Sequence, residues 1–190
     1  MQVQPNEISF LQATGLKNSR LIFDGVILQL YVNDLQLDNG MLVERELIHH
    51  QPGVAVLAIT SEDKVVLVKQ YRPAVNRYVY EIPAGMLDKG DSHHPLAGAK
   101  RELEEETAYQ GQTWRELWRF YVSPGFLNEE IIVYEARDLV KIDNPLPQDD
   151  DEEIELFELD RQTVREMWQR GEFVDAKTLL ALQHWLTGGV

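Results

Sequence analysis

The chain has 190 residues, of which 44% are apolar and 26% charged, enough for one well-buried domain with a sizeable extension. Its 18 Lys and Arg against 32 Asp and Glu give a formal net charge of −14, which argues against general DNA or RNA binding. No apolar run approaches the roughly 20 residues of a membrane span, and there is no Cys for disulfide or thiolate chemistry. We therefore expect a soluble cytoplasmic protein with no secretory signal and no membrane partner.

The first 50 residues are rich in β-forming side chains interrupted by two turn signals. Asp24-Gly25 and Asp38-Asn39-Gly40 are typical of tight turns between antiparallel strands. The sequence therefore predicts a small N-terminal β extension over residues 1–51. A second, larger domain over residues 52–190 follows, with the division near Pro52.

The larger domain mixes strand and helix signals. Two apolar stretches, residues 54–59 and 65–71, flank a polar turn and predict a hairpin. Asp160 and Asp175 are the expected N-caps of two C-terminal helices. Further strands and helices are predicted over residues 95–108, 114–122, 131–138, 154–159, 161–170 and 176–186. The fold class is therefore α+β.

The predicted helix over residues 95–108 places three carboxylates beside its core-facing stripe. That stripe consists of Leu96, Ala99, Leu103 and Thr107. Glu102, Glu105 and Glu106 lie within an arc of about 100° next to it, whereas Glu104 points elsewhere. Like charges at these spacings repel by a few tenths of a kcal/mol per pair, which favours a neutralising cation such as Mg²⁺. Taken alone, the helix is also compatible with a solvated acidic face.

The segment around this helix resembles the sequence box of the Nudix hydrolase family. The matching positions are Gly85, Arg101, Glu102, Leu103, Glu105, Glu106 and Tyr109. Three features depart from the box: Asp91 replaces a Glu, nine residues instead of seven separate Asp91 from Arg101, and Ala108 replaces a Gly. The extra residues precede the helix, so they leave the carboxylates in place. Either Ala108 adopts a left-handed conformation, or Gly111 ends a longer helix.

The flanking segments resemble the bacterial ADP-ribose pyrophosphatase branch of that family. They are residues 69–73, 81–85 and 123–126, together with the two C-terminal helices. The resemblance implies a Nudix-type α/β/α sandwich with a mixed sheet, and a homodimer whose N-terminal β extension helps to build the substrate site. It also implies that Arg72 contacts a phosphate, that the Ala84 carbonyl joins the metal shell, and that Glu129 lies near the diphosphate.

The resemblance further implies metal-dependent hydrolysis of ADP-ribose to AMP and ribose 5-phosphate. Glu102, Glu105 and Glu106 would hold Mg²⁺, or Mn²⁺ in its place. A general base is expected from the acidic loop 149–153, where Glu153 is favoured over Glu152 because it adjoins the next strand. Glu105 is the remaining catalytic candidate.

Two alternative functions stay open at this point. The first is hydrolysis of another nucleoside diphosphate sugar, such as GDP-mannose, because base selection depends on contacts that the sequence does not locate. Tyr31 and Phe23 in the β extension are candidates for those contacts. The second is a non-catalytic nucleotide sensor, against which we note that no DNA-binding helix-turn-helix or basic patch follows residue 187.

Overall fold

The computed structural model describes residues 8–87, 94–147 and 153–188. The chain forms two compact units, which we describe one at a time. The first comprises the residues up to Pro52 together with Phe120–Glu130, and the second comprises Gly53–Arg119 and the residues from Ile131 onward. The roles predicted for residues 1–51 stay predictions.

The first unit is built on a three-stranded antiparallel sheet. Its strands are β1 (Leu16–Asp24), β2 (Leu28–Gln36) and β3 (Leu42–His50), in that spatial order. The turn between β2 and β3 contains Gly40 at φ 83°, a left-handed conformation that glycine adopts without a Cβ clash. The strands and turns predicted for this region are confirmed.

In its described residues, the second unit contains a seven-stranded mixed sheet and three α-helices. The strand order is β12-β5-β4-β10-β9, with β6 paired to β5 and β7 paired to β4. Strand β4 runs parallel to β10 and antiparallel to β5 and β7. The elements are β4 (Gly53–Ile59), β5 (Val65–Arg72), β6 (Arg77–Glu81), β7 (Ala84–Met86), α1 (Pro95–Thr107), β8 (Tyr109–Gln110), β9 (Thr113–Tyr121), β10 (Glu130–Arg137), β11 (Val140–Lys141), β12 (Glu155–Leu159), α2 (Arg161–Gln169) and α3 (Ala176–Thr187). The predicted α+β class with a mixed sheet is confirmed.

Strand β4 lies at the centre of this unit, with all seven residues buried. A strand buried on both faces is expected where the sheet is covered on both sides. Val54, Val56 and Ala58 belong to the same core cluster as Ala99 and Leu103 of α1. Helix α3 also contacts β4. No helix in the described part of the chain is long and apolar enough to cross a membrane.

The helix ends follow the predicted caps. The Asp160 carboxylate accepts a hydrogen bond from the Thr163 amide, and the Asp175 carboxylate accepts one from the Thr178 amide. Helix α1 ends at Thr107 because Ala108 takes a left-handed conformation at φ 58°, so of the two alternatives the shorter helix is correct. Strands β7, β8 and β11 were not predicted because each has three residues or fewer, and β6 was not predicted because it has no alternation of apolar and polar residues.

Candidate active site

Helix α1 presents its acidic face because its opposite side is fixed in the core. Ala99 and Leu103 are fully buried and Thr107 is 3% exposed, which confirms the predicted stripe. Glu104 turns away from this face: its carboxylate accepts hydrogen bonds from the Gln110 side chain and the Leu146 amide. The separation of Glu104 from the other three carboxylates is therefore also confirmed.

Glu106 is the most deeply buried of the three carboxylates, at 3% exposure. Its Oε2 accepts a hydrogen bond of 3.0 Å from the backbone amide of Ala84, the first residue of β7. The structure thus brings Glu106 next to the backbone amide of Ala84, whereas the metal ligand predicted at this residue is its carbonyl oxygen. That role itself stays a prediction.

Glu102 lies directly against Gly85, the next residue of β7. A Cβ atom at residue 85 would stand 2.1 Å from Glu102 Cδ and 2.2 and 2.3 Å from its two oxygens. Only glycine leaves room for the carboxylate in this place. The Gly85 of the sequence box is therefore explained by the space it leaves for Glu102, since its φ is not in the left-handed region.

Arg101 joins two of the carboxylates. Its Nη2 lies 2.8 Å from Glu102 Oε1, and its Nη1 lies 2.6 Å from Glu105 Oε2. Repulsion among these carboxylates favours a neighbouring cation, and the guanidinium of Arg101 lies in that position. The i,i+4 spacing of Arg101 and Glu105 was a readable signal for this pair.

The donor set suits a hard divalent cation. Glu102, Glu105 and Glu106 offer carboxylate oxygens next to the backbone of β7, the ligand type that Mg²⁺ prefers. Within the described ranges, no three His, Asp or Glu side chains are grouped so that they hold a metal ion as they stand. Arg101 contacts one oxygen each of Glu102 and Glu105.

Arg72 stands at the end of β5 and forms a two-pronged contact with Glu81. Its Nε lies 2.6 Å from Glu81 Oε1, and its Nη2 lies 2.8 Å from Oε2. Lys177 of α3 contacts the same carboxylate at 2.5 Å. Burial alone would raise the pKa of Glu81, but the hydrogen bond from Arg72 and the charge of Lys177 outweigh it and lower that pKa.

Arg72 is stabilised in its charged form by nearby carboxylates. Its pKa is raised chiefly by the hydrogen bond to Glu81, and the negative charge of Glu106 contributes to the same shift. The charged form of Arg72 is thus favoured by Glu81 and, to a smaller extent, by Glu106. The phosphate contact predicted for Arg72 stays a prediction.

Two further predicted residues, Glu129 and Glu153, belong to the described part of the chain. Glu129 belongs to the first unit, where its carboxylate lies 3.6 Å from His50 Nδ1. Glu153 is exposed and precedes β12, whereas Glu152 and Asp91 lie outside the described residues. In the first unit Tyr31 is 8% exposed and Phe23 is 56% exposed, so of these two Phe23 offers a free aromatic surface.

Lys177 was not predicted as a site residue, and Glu81 was predicted only as part of the flanking segment 81–85. The two residues stand 96 positions apart, so no local spacing connects them. The Asp175 cap was the one available signal, because it places Lys177 at the second residue of α3.

The comparisons with known proteins agree with this geometry. The NUDIX domain model matches residues 49–177. The chain is 40% identical to an ADP-ribose pyrophosphatase of Bacillus subtilis (strain 168), over 86% of this chain and 87% of that protein. It is 41% identical to the methanol dehydrogenase activator of Bacillus methanolicus, with the same coverage of both proteins. It is 32% identical to a GDP-mannose pyrophosphatase of Cronobacter sakazakii, over 91% of this chain and 97% of that one.

The fold matches a solved structure as well. The crystal structure of an ADP compounds hydrolase superposes with a TM-score of 0.74 at 22% identity, covering 91% of this chain and 94% of that chain. At this identity the match speaks to the fold alone. The chain belongs to the NUDIX domain family and is a Nudix hydrolase, as the sequence box predicted.

Proposed function

We propose that this protein hydrolyses the diphosphate bond of ADP-ribose, with water, to AMP and ribose 5-phosphate. The observation that carries the proposal is the acidic face of α1 packed against Ala84 and Gly85. Likeness over most of the chain to the Bacillus subtilis ADP-ribose pyrophosphatase supports the choice of substrate.

The proposed role of each residue follows from its charge. A diphosphate ester resists attack because its oxygens repel an incoming nucleophile, so positive charge must be provided around it. Arg72 would hold a phosphate through its guanidinium, which presents N–H donors in a planar fork. Glu102, Glu105 and Glu106 would hold the Mg²⁺, or Mn²⁺ in its place, next to the Ala84 carbonyl. When bound, the metal ion neutralises phosphate charge and makes water more acidic.

The attacking water must lose a proton as it bonds to phosphorus. Glu153, or Glu152 beside it, would accept that proton as the general base, and Glu105 is the remaining candidate. The bridging oxygen leaves with the second phosphate. Glu129 is proposed to lie near the bound diphosphate on the resemblance alone.

We also propose that the protein acts as a cytoplasmic homodimer that assembles through the first unit. Large apolar side chains on β1 and the following turn are exposed to solvent: Leu21 47%, Ile22 56%, Phe23 56%, Val26 104% and Ile27 54%. An exposed apolar group of this extent marks an interaction surface in a water-soluble protein. A dimeric mass in solution is expected, and a monomeric, fully active variant that begins at Gln51 would refute the proposal.

A substrate panel with Mg²⁺ tests the proposed function. ADP-ribose and GDP-mannose are incubated separately, and AMP or GMP is separated by chromatography, with Glu106→Gln as the inactive control. AMP formed at the higher kcat/KM supports the proposal. GMP formed at the higher kcat/KM would select the GDP-mannose alternative, which the Cronobacter relative favours. Tight binding of either compound without cleavage would indicate a sensor.

A further inference from the structure

The start of α3 is fastened to the segment that leads into the candidate active site. Thr178 Oγ1 accepts a hydrogen bond of 2.9 Å from the Ile82 amide, and it donates one of 2.6 Å to Asp175 Oδ2. Ile82 lies between the carboxylate of Glu81 and the backbone of Ala84. The N-terminal turn of α3 is therefore hydrogen-bonded to the segment that joins Glu81 to Ala84.

Lys177 adds a partly buried cation to this junction. Its side chain is 13% exposed, and its Nζ lies 2.5 Å from Glu81 Oε2 and 3.2 Å from Asp175 Oδ1. Glu81 is itself only 4% exposed, and it shares its two oxygens between Arg72 and Lys177. Buried charges of this kind are stable only when each has a partner in good geometry.

The charges of this group determine how strongly Arg72 can attract a phosphate. Without Lys177, the carboxylate of Glu81 would cancel the charge of Arg72 at a distance of 2.6 Å. With Lys177 present, Glu81 is shared between two cations. Asp175 also contacts Lys177, and its negative charge is partly offset because its Oδ2 accepts hydrogen bonds from the amide and the hydroxyl of Thr178 at the positive end of α3.

We propose that Lys177 is a positioning residue for phosphate binding. By holding Glu81, it fixes the orientation of the Arg72 guanidinium and leaves that guanidinium a net positive charge toward the substrate. This inference rests on the proposed function, because it requires that Arg72 bind a phosphate of the nucleotide. The simpler alternative is that Lys177 only ties α3 to β6 and acts on stability.

Single substitutions separate the two accounts. Lys177→Met keeps much of the apolar stem and removes the charge. We expect it to raise the KM for ADP-ribose at least about 10-fold while kcat changes less than about 3-fold. Lys177→Arg restores a cation and should return KM to within about 3-fold of wild type. Lys64→Met removes an exposed lysine paired with Glu62 and serves as the matched control with unchanged kinetics.

A double-mutant cycle with Arg72→Ala gives the decisive comparison. If Lys177 acts through Arg72, Lys177→Met should change KM by less than about 3-fold once Arg72 is absent. An undiminished effect in that background overturns the proposal, and so does an unchanged KM for Arg72→Ala alone. If Lys177→Met does not fold, as judged by circular dichroism, Lys177→Gln, which also removes the positive charge, takes its place in the same cycle.

The Kd for ADP, measured by titration calorimetry, repeats the cycle without turnover. Loss of affinity in Lys177→Met that disappears in the Arg72→Ala background supports the proposal even if ADP-ribose is not the substrate. Equal affinity in wild type and Lys177→Met overturns it even if ADP-ribose is hydrolysed. Failure of the inference and failure of the proposed function are thus distinguished.

Discussion

The carboxylate of Glu102 occupies the space that a side chain at Gly85 would fill. A methyl group there would meet Glu102 Cδ at 2.1 Å, and the carboxylate is the part of the contact that can move. Gly85→Ala should therefore change the free energy of unfolding by less than about 1 kcal/mol while displacing Glu102. We expect kcat to fall about 100-fold, as misplacement of a positioned group does.

Glu102→Gln is the control for this substitution. If Gly85→Ala acts by displacing Glu102, the double variant should be little slower than Glu102→Gln alone, and kcat values from steady-state kinetics test this. If the loss of kcat in the double variant equals the product of the two single losses, residue 85 acts in some other way than through Glu102.

The acidic face of α1 is tested by three matched amide substitutions. Glu102→Gln and Glu106→Gln should each lower kcat at least about 100-fold and leave the fold intact, because they remove metal ligands while relieving carboxylate repulsion. Glu104→Gln is the control, since Glu104 bonds Gln110 and the Leu146 amide on another side of the helix. Equal losses in all three variants would contradict the division of the helix into faces.

Because Ala108 has a left-handed backbone conformation, we expect glycine at this position to increase stability. Ala108→Gly removes the Cβ strain at φ 58° and should raise the free energy of unfolding by about 0.5–1 kcal/mol. The melting temperature should rise by about 2 °C in a domain of this size. Ala97→Gly, at an exposed position in the same helix, should lower stability by up to about 1 kcal/mol. Two changes of the same sign in calorimetry would refute this reading of the helix end.

The lowered pKa of Glu81 predicts a loss of stability in acid. Because the folded-state pKa lies below the ordinary value of 4.5, the stabilisation is present above that value and is lost as the pH falls through the folded-state pKa. Urea unfolding between about pH 3 and pH 7 should give a flatter pH dependence for Glu81→Gln than for wild type. Glu62→Gln, an exposed carboxylate paired with Lys64, should stay close to wild type. Parallel curves for Glu81→Gln and wild type would contradict the prediction.

The general base is addressed by substitutions in the acidic loop. Glu153→Gln or Glu152→Gln should lower kcat by about 10²- to 10⁴-fold with little effect on substrate affinity. The affected variant should also lose the acid limb of its pH–rate profile, because that limb reports ionisation of the missing carboxylate. Unchanged kcat in both single variants and the double variant, across about pH 6 to 9, would move the role of base to Glu105 or Glu129.

The sequence predicted what is local and periodic. The core stripe of α1 and the separate direction of Glu104 follow from 3.6-residue geometry, and both are confirmed. The Asp160 and Asp175 caps likewise depend on residues three positions apart. Short strands such as β6 and β7 were missed because pairing with β5 and β4, rather than their own pattern, makes them strands.

Relationships between distant parts of the chain could not be predicted in this way. The contact of Lys177 with Glu81 depends on where α3 packs, and no spacing rule reports that position. The end of α1 could not be predicted, because a left-handed Ala108 costs only about 1 kcal/mol. A longer helix that ends at Gly111 was therefore also compatible with the sequence. The general base stays open between Glu153 and Glu152.

The most direct test of the account is hydrolysis of ADP-ribose in water enriched in ¹⁸O, with Mg²⁺ and wild-type protein, followed by mass spectrometry of the products. The account predicts AMP and ribose 5-phosphate in equal amounts, with one ¹⁸O atom in the phosphate that water attacked, and almost no product from Glu102→Gln. Absence of both products, or products that carry no ¹⁸O, would contradict attack by water on the diphosphate.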